Sequence, residues 1–368
     1  MTRALNATSL GNHDIQLLDI RNFGALCNGQ ADDTVAVQNA INAVSSIADL
    51  SAGGIYIPSG STKITGTITV PLGNSIGGGC IVGNGRSSVI TMGNNANVSA
   101  ITVPAGADYW RFESFALQGN SSNNSAGHGI LCAGSRLWLN KVYIDNFKED
   151  GVKFTGADSH KLTDCHIRGN QQNGVETVAP ATDVEMIGCL VGTNQLAGVK
   201  VGTGSFHLTN THIFSSGTDG ILVSSGIAEV SAVNCDIENN FGAGINWVGS
   251  NTGCSVVGCI LRRNALEGLK GASSTNCIIS GNIIRENSAP AGTLPGITLS
   301  GTSLDVVING NNFYDNQSTK TQTHAVVSSG SSDRLVITGN TMRAAQHKTG
   351  SSSLVGASNI SGATLNTV

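Results

Sequence analysis

Aromatic, charged and proline residues are all scarce in this sequence. Aromatic residues make up 4% of the 368 residues and charged residues 12%, prolines number 6, and the net charge is −4. This charge argues against a nucleic-acid partner, because binding to nucleic acid needs a basic stripe. No run of 18 apolar residues occurs, and the N-terminal residues have no apolar signal-peptide core. We therefore expect neither membrane insertion nor a Sec signal.

Cysteine patterns that would indicate disulfides or metal binding are also lacking. The 9 cysteines are an odd number, and no CxxC pair or Cys/His metal spacing occurs. We predict buried free thiols, which indicates folding in a reducing cytoplasm. The Gly-rich segment 73–85 lacks the lysine of a phosphate loop, and no Rossmann or zinc signature occurs. No cofactor or metal is predicted, although a Ca²⁺ site made from groove carboxylates would be compatible with a lyase.

The sequence does contain a repeated phrase that opens with glycine and an aliphatic residue. The openings lie 22 to 24 residues apart, and the spacing then stretches to 28 and 29 near the end. They begin at Gly129, Gly151, Gly174, Gly198, Gly220, Gly244, Gly268 and Gly296, and Ala325 takes the last position. A fixed period of this length predicts a solenoid, in which each repeat buries its apolar face against its neighbours.

Each repeat reads as short strands separated by turns, with two columns of residues facing inward. The first column is Cys165, Cys189, Thr211, Cys235, Cys259, Asn282, Asn311 and Asn340. The second is Ile167, Val191, Ile213, Ile237, Leu261, Ile284, Phe313 and Met342. Equivalent residues stack ~4.8 Å apart, so the asparagines should form a ladder through their amides. The sequence therefore predicts an all-β protein, a right-handed parallel β-helix with one turn per repeat.

Residues 33–48 form the one substantial predicted helix, which we expect to cap the open end of the solenoid. Asp32 and Asp33 are its N-cap candidates, and Val37, Ala40, Ile41, Val44 and Ile47 form its apolar stripe. We predict an arm at 1–19, the capping helix and first turns at 20–98, regular β-helix at 99–343 and a polar tail at 344–368.

Two N-terminal segments resemble the signature of the pectate-lyase-like superfamily of right-handed β-helices. They are IRNFGALCNGQADDTVAVQNAINAV, from residue 20, and GGIYIPSGSTKITGTITVP at 53–71. Asn22 and Asn28 stand where the signature usually has aspartate. The resemblance implies a β-helix fold. It also implies one of several functions, because the superfamily includes pectin-type lyases, hydrolases, epimerases and the tailspikes of bacteriophages, which are typically homotrimers that bind or cut surface polysaccharides.

The first candidate site is a groove between two columns that we predict to face outward. Asp150 and Asp219 precede the repeat glycines, while Lys153, Glu176 and Lys200 lie two residues after them. Asp150 and Glu176 should lie about 9–10 Å apart at the backbone, which suits an inverting pair of carboxylates. Asp150, Glu176 and Asp219 are therefore predicted catalytic residues, with Lys153 and Lys200 binding substrate. The alternative is a solvated salt-bridge ladder.

The second candidate site lies on the next outward face. Asp236 and Glu238 are two residues apart, His212 stacks on Asp236, and Arg262 and Arg285 follow Glu238 in successive turns. We predict Asp236, Glu238 and His212 as catalytic residues and Arg262 and Arg285 as ligands for an acidic sugar. Scattered surface charge is the alternative. Tyr143, Asp145, His166 and Arg168 form a third group on that face, predicted to be structural.

Trp138 is predicted to point outward and is the best candidate for a sugar platform. Trp247 alternates inward, and Tyr109–Trp110 could be on either side.

Three functional hypotheses remain open. The favoured one is a phage tailspike that would bind a capsule or O-antigen polysaccharide and depolymerise it by hydrolysis or β-elimination. It would be made in the host cytoplasm, carried on the virion and assembled as a homotrimer with other tail proteins. The others are a non-catalytic spike or adhesin with a β-helix stalk, and a secreted bacterial pectate-lyase-like enzyme.

Overall fold

The computed structural model of the chain describes residues 16–44, 53–72, 78–156, 158–289 and 292–342. It also describes the backbone of three short strands, Leu5–Asn6, Leu354–Val355 and Ile360–Ser361. The chain divides into two compact units, Met1–Leu190 and Val191–Val368. Most of the predicted arm at 1–19 and tail at 344–368 lies outside the described residues.

Each turn of the first unit contributes up to one strand to each of three parallel sheets, which we call faces 1, 2 and 3. Face 1 consists of Gln16–Asp19, Gly53–Tyr56, Cys80–Val82, Arg111–Glu113, Trp138–Asn140, His160–Thr163 and Val184–Ile187, and Leu5–Asn6 pairs antiparallel with its first strand. Face 2 consists of Asn28–Asp32, Gly60–Ile64, Ser88–Met92, Ala116–Gln118, Tyr143–Asp145 and His166–Arg168. Face 3 consists of Ile68–Thr69, Ile101–Val103, Ile130–Cys132, Val152–Phe154 and Val175–Thr177. Short 3₁₀ turns occupy Ile20–Phe23, Gly85–Ser87 and Ser121–Asn123.

The second unit has the same three-faced construction. Face 1 consists of Phe206–Thr209, Val230–Val233, Ser255–Val257, Ile278–Ser280, Val307–Asn309, Leu335–Thr338 and Ile360–Ser361. Face 2 consists of His212–Phe214, Asp236–Glu238, Ile260–Arg262, Ile283–Arg285, Asn312–Tyr314 and Thr341–Met342. Face 3 consists of Val199–Val201, Ile221–Val223, Ile245–Trp247, Leu269–Ala272, Ile297–Ser300, Val326–Ser328 and Leu354–Val355. The strand Leu190–Gly192 lies at the division between the units.

The predicted register is confirmed within both units. Ile144 aligns with Ile167 in the first unit, and Ile237 aligns with Leu261 in the second. These side chains are buried, because strand alternation turns every second residue into the interior. The parallel β-helix follows from this alternation, because inward residues of successive turns stack on one another, as the aliphatic pairs Ile144–Ile167 and Ile237–Leu261 do.

The predicted asparagine ladder closes as expected in the second unit. The side-chain amide of Asn282 donates to Oδ1 of Asn311 at 2.9 Å, and Asn311 donates in the same way to Asn340 at 2.9 Å. Each oxygen also accepts the backbone N–H of the residue one turn earlier, as Asn311 Oδ1 does from Asn282 at 2.9 Å. Buried polar backbone at the turn is thereby satisfied.

The cysteines take the position of these asparagines in the earlier turns. Cys165, Cys189, Cys235 and Cys259 are buried, as predicted, and all 9 cysteines are free thiols. Cys27 differs from the other eight because it is partly exposed.

The helix spans Thr34–Val44 and buries Ala36, Val37, Ala40, Ile41 and Val44. The predicted residues 45–48, Ile47 included, lie outside the described residues. Asp33 accepts the backbone N–H of Val37 through its carbonyl, while its carboxylate accepts those of Leu26 and Cys27 at 2.8 and 3.0 Å. The Asp33 side chain therefore holds the preceding loop rather than capping the helix. Within the described ranges, no helix is long and apolar enough to cross a membrane.

Candidate functional site

The first predicted groove is a closed polar network on face 3 of the first unit. Lys153 Nζ lies 2.7 Å from Glu176 Oε2 and 3.5 Å from Asp150 Oδ2. The other Asp150 oxygen accepts the backbone N–H and the side-chain amide of Asn173, both at 2.9 Å. The Asp150 backbone N–H donates to His128 Nδ1 at 3.1 Å. The structure thus brings Asp150, Glu176 and Lys153 together as predicted.

The exposure expected for three predicted catalytic carboxylates is wrong. Asp150 is fully buried and Glu176 is 4% exposed in this network, and Asp219, in the second unit, is 9% exposed. The column before the glycines turns inward because its side chains accept backbone N–H groups of the following turn, as Asp150 does from Asn173. A carboxylate used in this way joins two turns, and little of it remains open to a substrate.

Burial and polar neighbours act in opposite directions on this network. Burial raises the pKa of Asp150, while its contacts with His128 and Asn173 lower it, and the net effect is a lowering. Burial lowers the pKa of Lys153, but Glu176 and Asp150 raise it by more. Both shifts favour the charged forms of Asp150 and Lys153. Lys200, in the second unit, is half-buried on Val199–Val201 and aligns with Leu222.

The second predicted cluster lies on face 2 of the second unit and is more accessible. Asp236 aligns with His212, and Glu238 aligns with Arg262, as predicted. The side chains of His212 and Asp236 are 37% and 31% exposed, and that of Glu238 is 15% exposed. One nitrogen of His212 and one oxygen of each carboxylate lie within 4.8 Å of one another. An acid pair and an imidazole are thus gathered at an open surface.

Arg262 holds the two carboxylates of this cluster. Its Nε and Nη2 donate to Asp236 at 3.2 and 2.8 Å, and Nη2 also lies 3.1 Å from Glu238 Oε2. The same contact with Asp236 raises the pKa of Arg262. Glu238 Oε1 lies 3.1 Å from His212 Nε2. The two carboxylates therefore have different neighbours. Asp236 contacts the guanidinium of Arg262, and Glu238 contacts both that guanidinium and the imidazole of His212.

His212, Asp236 and Glu238 also offer a nitrogen and two oxygens of the kinds that bind divalent cations. Arg262 already supplies a positive charge to both carboxylates, and a second cation would have to displace it. These residues therefore fit a guanidinium better than a metal ion.

Arg285 aligns with Arg262 as predicted, but its side chain turns away from the cluster. Its Nη1 lies 2.7 Å from Glu286 Oε1, and its guanidinium lies 5.8 Å from the ring centre of Tyr314. Glu286 is buried and also binds Arg263 at 2.8 Å. Arg285 thus belongs to a neighbouring ion-pair group that the sequence analysis did not identify.

The third group, on face 2 of the first unit, is a stacked set of aromatic and basic side chains. The rings of Tyr143 and His166 have centres 4.8 Å apart, and the guanidinium of Arg86 lies 5.1 Å from the centre of the Tyr143 ring. Arg168 pairs with Asp145 at 2.9 Å. Burial lowers the pKa of His166, and Arg86 and Arg168 lower it further.

Trp138 points outward as predicted and is 50% exposed, whereas Trp247 is buried. Trp110 is also buried, and Tyr109 is 42% exposed. Trp138 lies in a cleft of about 450 Å³ on face 1 of the first unit. Arg111 and Lys161, which sequence analysis missed, align with it on either side. Counting one repeat backwards and forwards from Trp138 would have found both.

Comparison with known proteins identifies the architecture. The sequence profile of a family described as "Right handed beta helix region" matches residues 94–234 and 202–367. No curated protein is significantly similar to this chain in sequence.

Solved structures give the same result at low sequence identity. The A-module of mannuronan C-5 epimerase AlgE4 from Azotobacter vinelandii is 17% identical with a TM-score of 0.76, covering 95% of this chain and 99% of that one. The Dettilon tailspike protein is 14% identical with a TM-score of 0.75, covering 94% and 68%. The DFA-IIIase of Arthrobacter chlorophenolicus A6 is 14% identical with a TM-score of 0.67, covering 95% and 97%. At these identities the likeness shows the fold alone.

Proposed function

The chain belongs to the right-handed β-helix family, and on that fold we propose that it binds and cleaves a bacterial surface polysaccharide. The observation that carries the proposal is the open cluster of Asp236, Glu238, His212 and Arg262 in the second unit. Paired carboxylates at a solvent-facing position are the groups that glycoside cleavage uses. The buried network around Asp150 has similar groups without comparable access.

The two carboxylates are close enough for a retaining mechanism. One oxygen of each lies within 4.8 Å of the other, and retaining glycosidases hold their carboxyl groups closer together, at ~5–5.5 Å, than inverting ones, at ~6.5–9.5 Å. In this proposal one carboxylate attacks the anomeric carbon while the other protonates the glycosidic oxygen. The glycosyl–enzyme ester is then hydrolysed by water, which the second residue deprotonates.

The neighbours of each carboxylate support distinct roles. Asp236 accepts two hydrogen bonds from Arg262, which orient it as the nucleophile. Glu238 contacts His212 Nε2, so a proton at this pair can pass to the leaving oxygen and later be recovered from water. His212 is a positioning residue in this scheme because it acts through Glu238. As charge on the carboxylates changes during cleavage, Arg262 can also contact an acidic group of the sugar.

Cleavage can be tested with purified capsule and O-antigen polysaccharides, by the release of reducing ends. Asp236→Asn and Glu238→Gln should each lower the rate by roughly 10²-fold or more, as expected for loss of a general acid or nucleophile. Asp305→Asn is the matched control, because Asp305 makes a similar two-point pair with Arg334 at 2.6 Å for both hydrogen bonds. If both cluster variants cut like the parent, the site lies elsewhere. If the parent cuts no polysaccharide, the adhesin hypothesis replaces this one.

We propose a bacteriophage tailspike as the biological setting. Support comes from the Dettilon tailspike, whose structure covers 94% of this chain at a TM-score of 0.75, and from free, mostly buried thiols, which suit folding in a host cytoplasm. A homotrimer on the virion, contacting other tail proteins, belongs to the same proposal. Sedimentation analysis and the neighbouring genes test it. A monomer encoded among glycan-utilisation genes would favour a secreted bacterial enzyme instead.

The Tyr143 group supports a second candidate, proton abstraction from an acidic sugar. The lowered pKa of His166 leaves its imidazole neutral and able to accept a proton, and Arg86 can neutralise a carboxylate. Release of an unsaturated product that persists in Glu238→Gln and disappears in His166→Gln would favour this chemistry over hydrolysis.

A further inference from the structure

The cleft around Trp138 has the composition of a sugar-binding surface. Trp138 is the half-exposed member of the three tryptophans, since Trp110 and Trp247 are 0% and 1% exposed. An exposed indole can pack its apolar face against the ring of a bound sugar. The cleft, about 450 Å³ in volume, is of the size that small-molecule sites have.

Stacking of the turns arranges the cleft in two outward rows. Arg111, Trp138 and Lys161 align in the first row, with neighbours ~4.8 Å apart at the backbone. Glu113, Asn140 and Thr163 align in the second row. Basic groups therefore lie on both sides of the indole, and neutral or acidic polar groups lie along one edge of it.

The polar groups of the cleft are held at its edges and leave the indole uncovered. Asn140 donates to Glu113 Oε1 at 3.2 Å. Lys161 pairs with Glu185 at 2.8 Å, and both side chains are more than 40% exposed. Such an exposed pair is weak because solvent screens it, so a ligand carboxylate can compete for Lys161.

We propose that this cleft is a binding subsite for an acidic oligosaccharide of uronate type. The apolar face of one sugar ring would stack on Trp138, as aromatic side chains pack against flat apolar surfaces. Its carboxylate would contact Arg111 or Lys161, and its hydroxyls would reach Asn140, Thr163 and Glu113. The subsite lies within the first unit, on face 1, and is independent of the proposed catalytic cluster.

Acrylamide quenching of tryptophan fluorescence reports on this cleft, because Trp138 is accessible and the other two tryptophans are buried. The probes are hexamers of mannuronate and of galacturonate, together with their neutral carboxyl-reduced forms. Acidic hexamers should protect Trp138 from acrylamide with a saturable dependence, and the neutral forms should do so at least tenfold more weakly. Absence of protection by both acidic hexamers would overturn the proposal.

Variants separate the subsite from general binding, with affinities measured by calorimetry. Trp138→Phe should weaken binding of an acidic hexamer at least fivefold, and Arg111→Gln with Lys161→Gln should remove the preference for the acidic form. Phe241→Ala, which removes an aromatic side chain that is 71% exposed in the second unit, should have no effect. Asp305→Asn, at a surface pair outside both proposed sites, should bind like the parent. These assays measure binding and not cleavage, so failure of the cleavage proposal leaves this one intact. Binding by Trp138→Ala that equals the parent's would refute the subsite, provided that its circular dichroism is unchanged.

Discussion

The backbone N–H of Ala243 donates a hydrogen bond to Asp219 Oδ1, with the two atoms 2.7 Å apart. The other carboxylate oxygen of Asp219 accepts the side-chain amide of Asn246 at 3.0 Å. Asp219 thus connects one turn of the second unit to the next. Asp150 makes the equivalent bond to Asn173 in the first unit, so the arrangement is a feature of the repeat.

Asp219→Ala should therefore destabilise the protein without changing its chemistry. Removing the acceptor leaves a buried N–H unsatisfied, which costs about 1–3 kcal/mol. Urea unfolding measures this loss, and Asp219→Asn, which retains an acceptor oxygen, should recover a large part of it. Loss of polysaccharide cleavage in a fully stable Asp219→Ala protein would instead return this residue to the catalytic set.

Cys259→Asn should be tolerated because it extends the asparagine ladder by one position. Asn282 Oδ1 already accepts the Cys259 backbone N–H at 2.8 Å, and the Cys259 thiol lies 3.3 Å from the Cys235 nitrogen and from the Ala232 carbonyl. An asparagine there would find the equivalent partners one turn earlier, the Cys235 N–H and the Ala232 carbonyl, and could donate to Asn282 Oδ1. We expect a change in unfolding free energy within about 1 kcal/mol, against about 1–3 kcal/mol lost in Cys259→Leu from overpacking. If Cys259→Asn were less stable than Cys259→Leu, this position would not accommodate a side-chain amide.

The fold could be predicted from the sequence because its inward columns contain apolar residues, cysteines, asparagines and one threonine, Thr211, at a nearly fixed spacing. Stacking of equivalent residues then determines the register, and Ile237 against Leu261 is one instance. The apolar stripe also placed the helix correctly as far as Val44, and the predicted residues 45–48, which lie outside the described ranges, stay a prediction.

The candidate site could be predicted only in part, because sequence spacing gives alignment but not the direction of long side chains. Arg262 and Arg285 align, yet Arg262 turns to Asp236 while Arg285 turns to Glu286. The inward turn of Asp150 was also missed. It depends on the hydrogen bond to the next turn, which no local pattern in the sequence records.

Thiol labelling should distinguish Cys27 from the other cysteines. Cys27 is partly exposed and eight cysteines are buried. Burial raises the pKa of Cys80 to about 11 and that of Cys132 to about 12, so little reactive thiolate forms at neutral pH. One group should react in the native protein and nine after denaturation, and Cys27→Ser should remove the native reaction. Fast native labelling of several groups would contradict the buried ladder.

Stability should fall as the pH decreases from about 6.5 to about 4 because of His160. Burial lowers the pKa of this histidine from its ordinary value of 6.5 to about 4. Its ring stacks on Phe154 with centres 4.2 Å apart. The histidine of the unfolded chain takes up its proton at a higher pH than that of the folded chain. The stability that neutral, buried His160 contributes is therefore complete above pH 6.5 and is lost as the pH falls through this window. The loss attributable to His160 is on the order of 3 kcal/mol.

Unfolding free energies of the parent and of His160→Gln, measured between pH 7 and 4, test this pH dependence. The unfolding free energy of the variant should depend less steeply on pH than that of the parent. His207→Gln is the control, since His207 is exposed and contacts Ser231 at 2.8 Å. Equal slopes in the parent and in His160→Gln would assign the acid sensitivity to other groups.

Arg262→Lys should lower polysaccharide cleavage by at least tenfold while changing stability little. The guanidinium spans Asp236 and Glu238 through a planar fork, with Nη2 at 2.8 and 3.1 Å from their oxygens. A lysine ammonium is a point charge on a flexible stem and cannot hold both carboxylates in this way. Side-chain exposures of 23% for Arg262 and 31% for Asp236 limit the stabilising effect of the pair. Arg334→Lys, at the surface pair with Asp305, provides the control. The kcat/KM of each variant measures the effect, and an Arg262→Lys protein as active as the parent would mean that the cluster is held for stability alone.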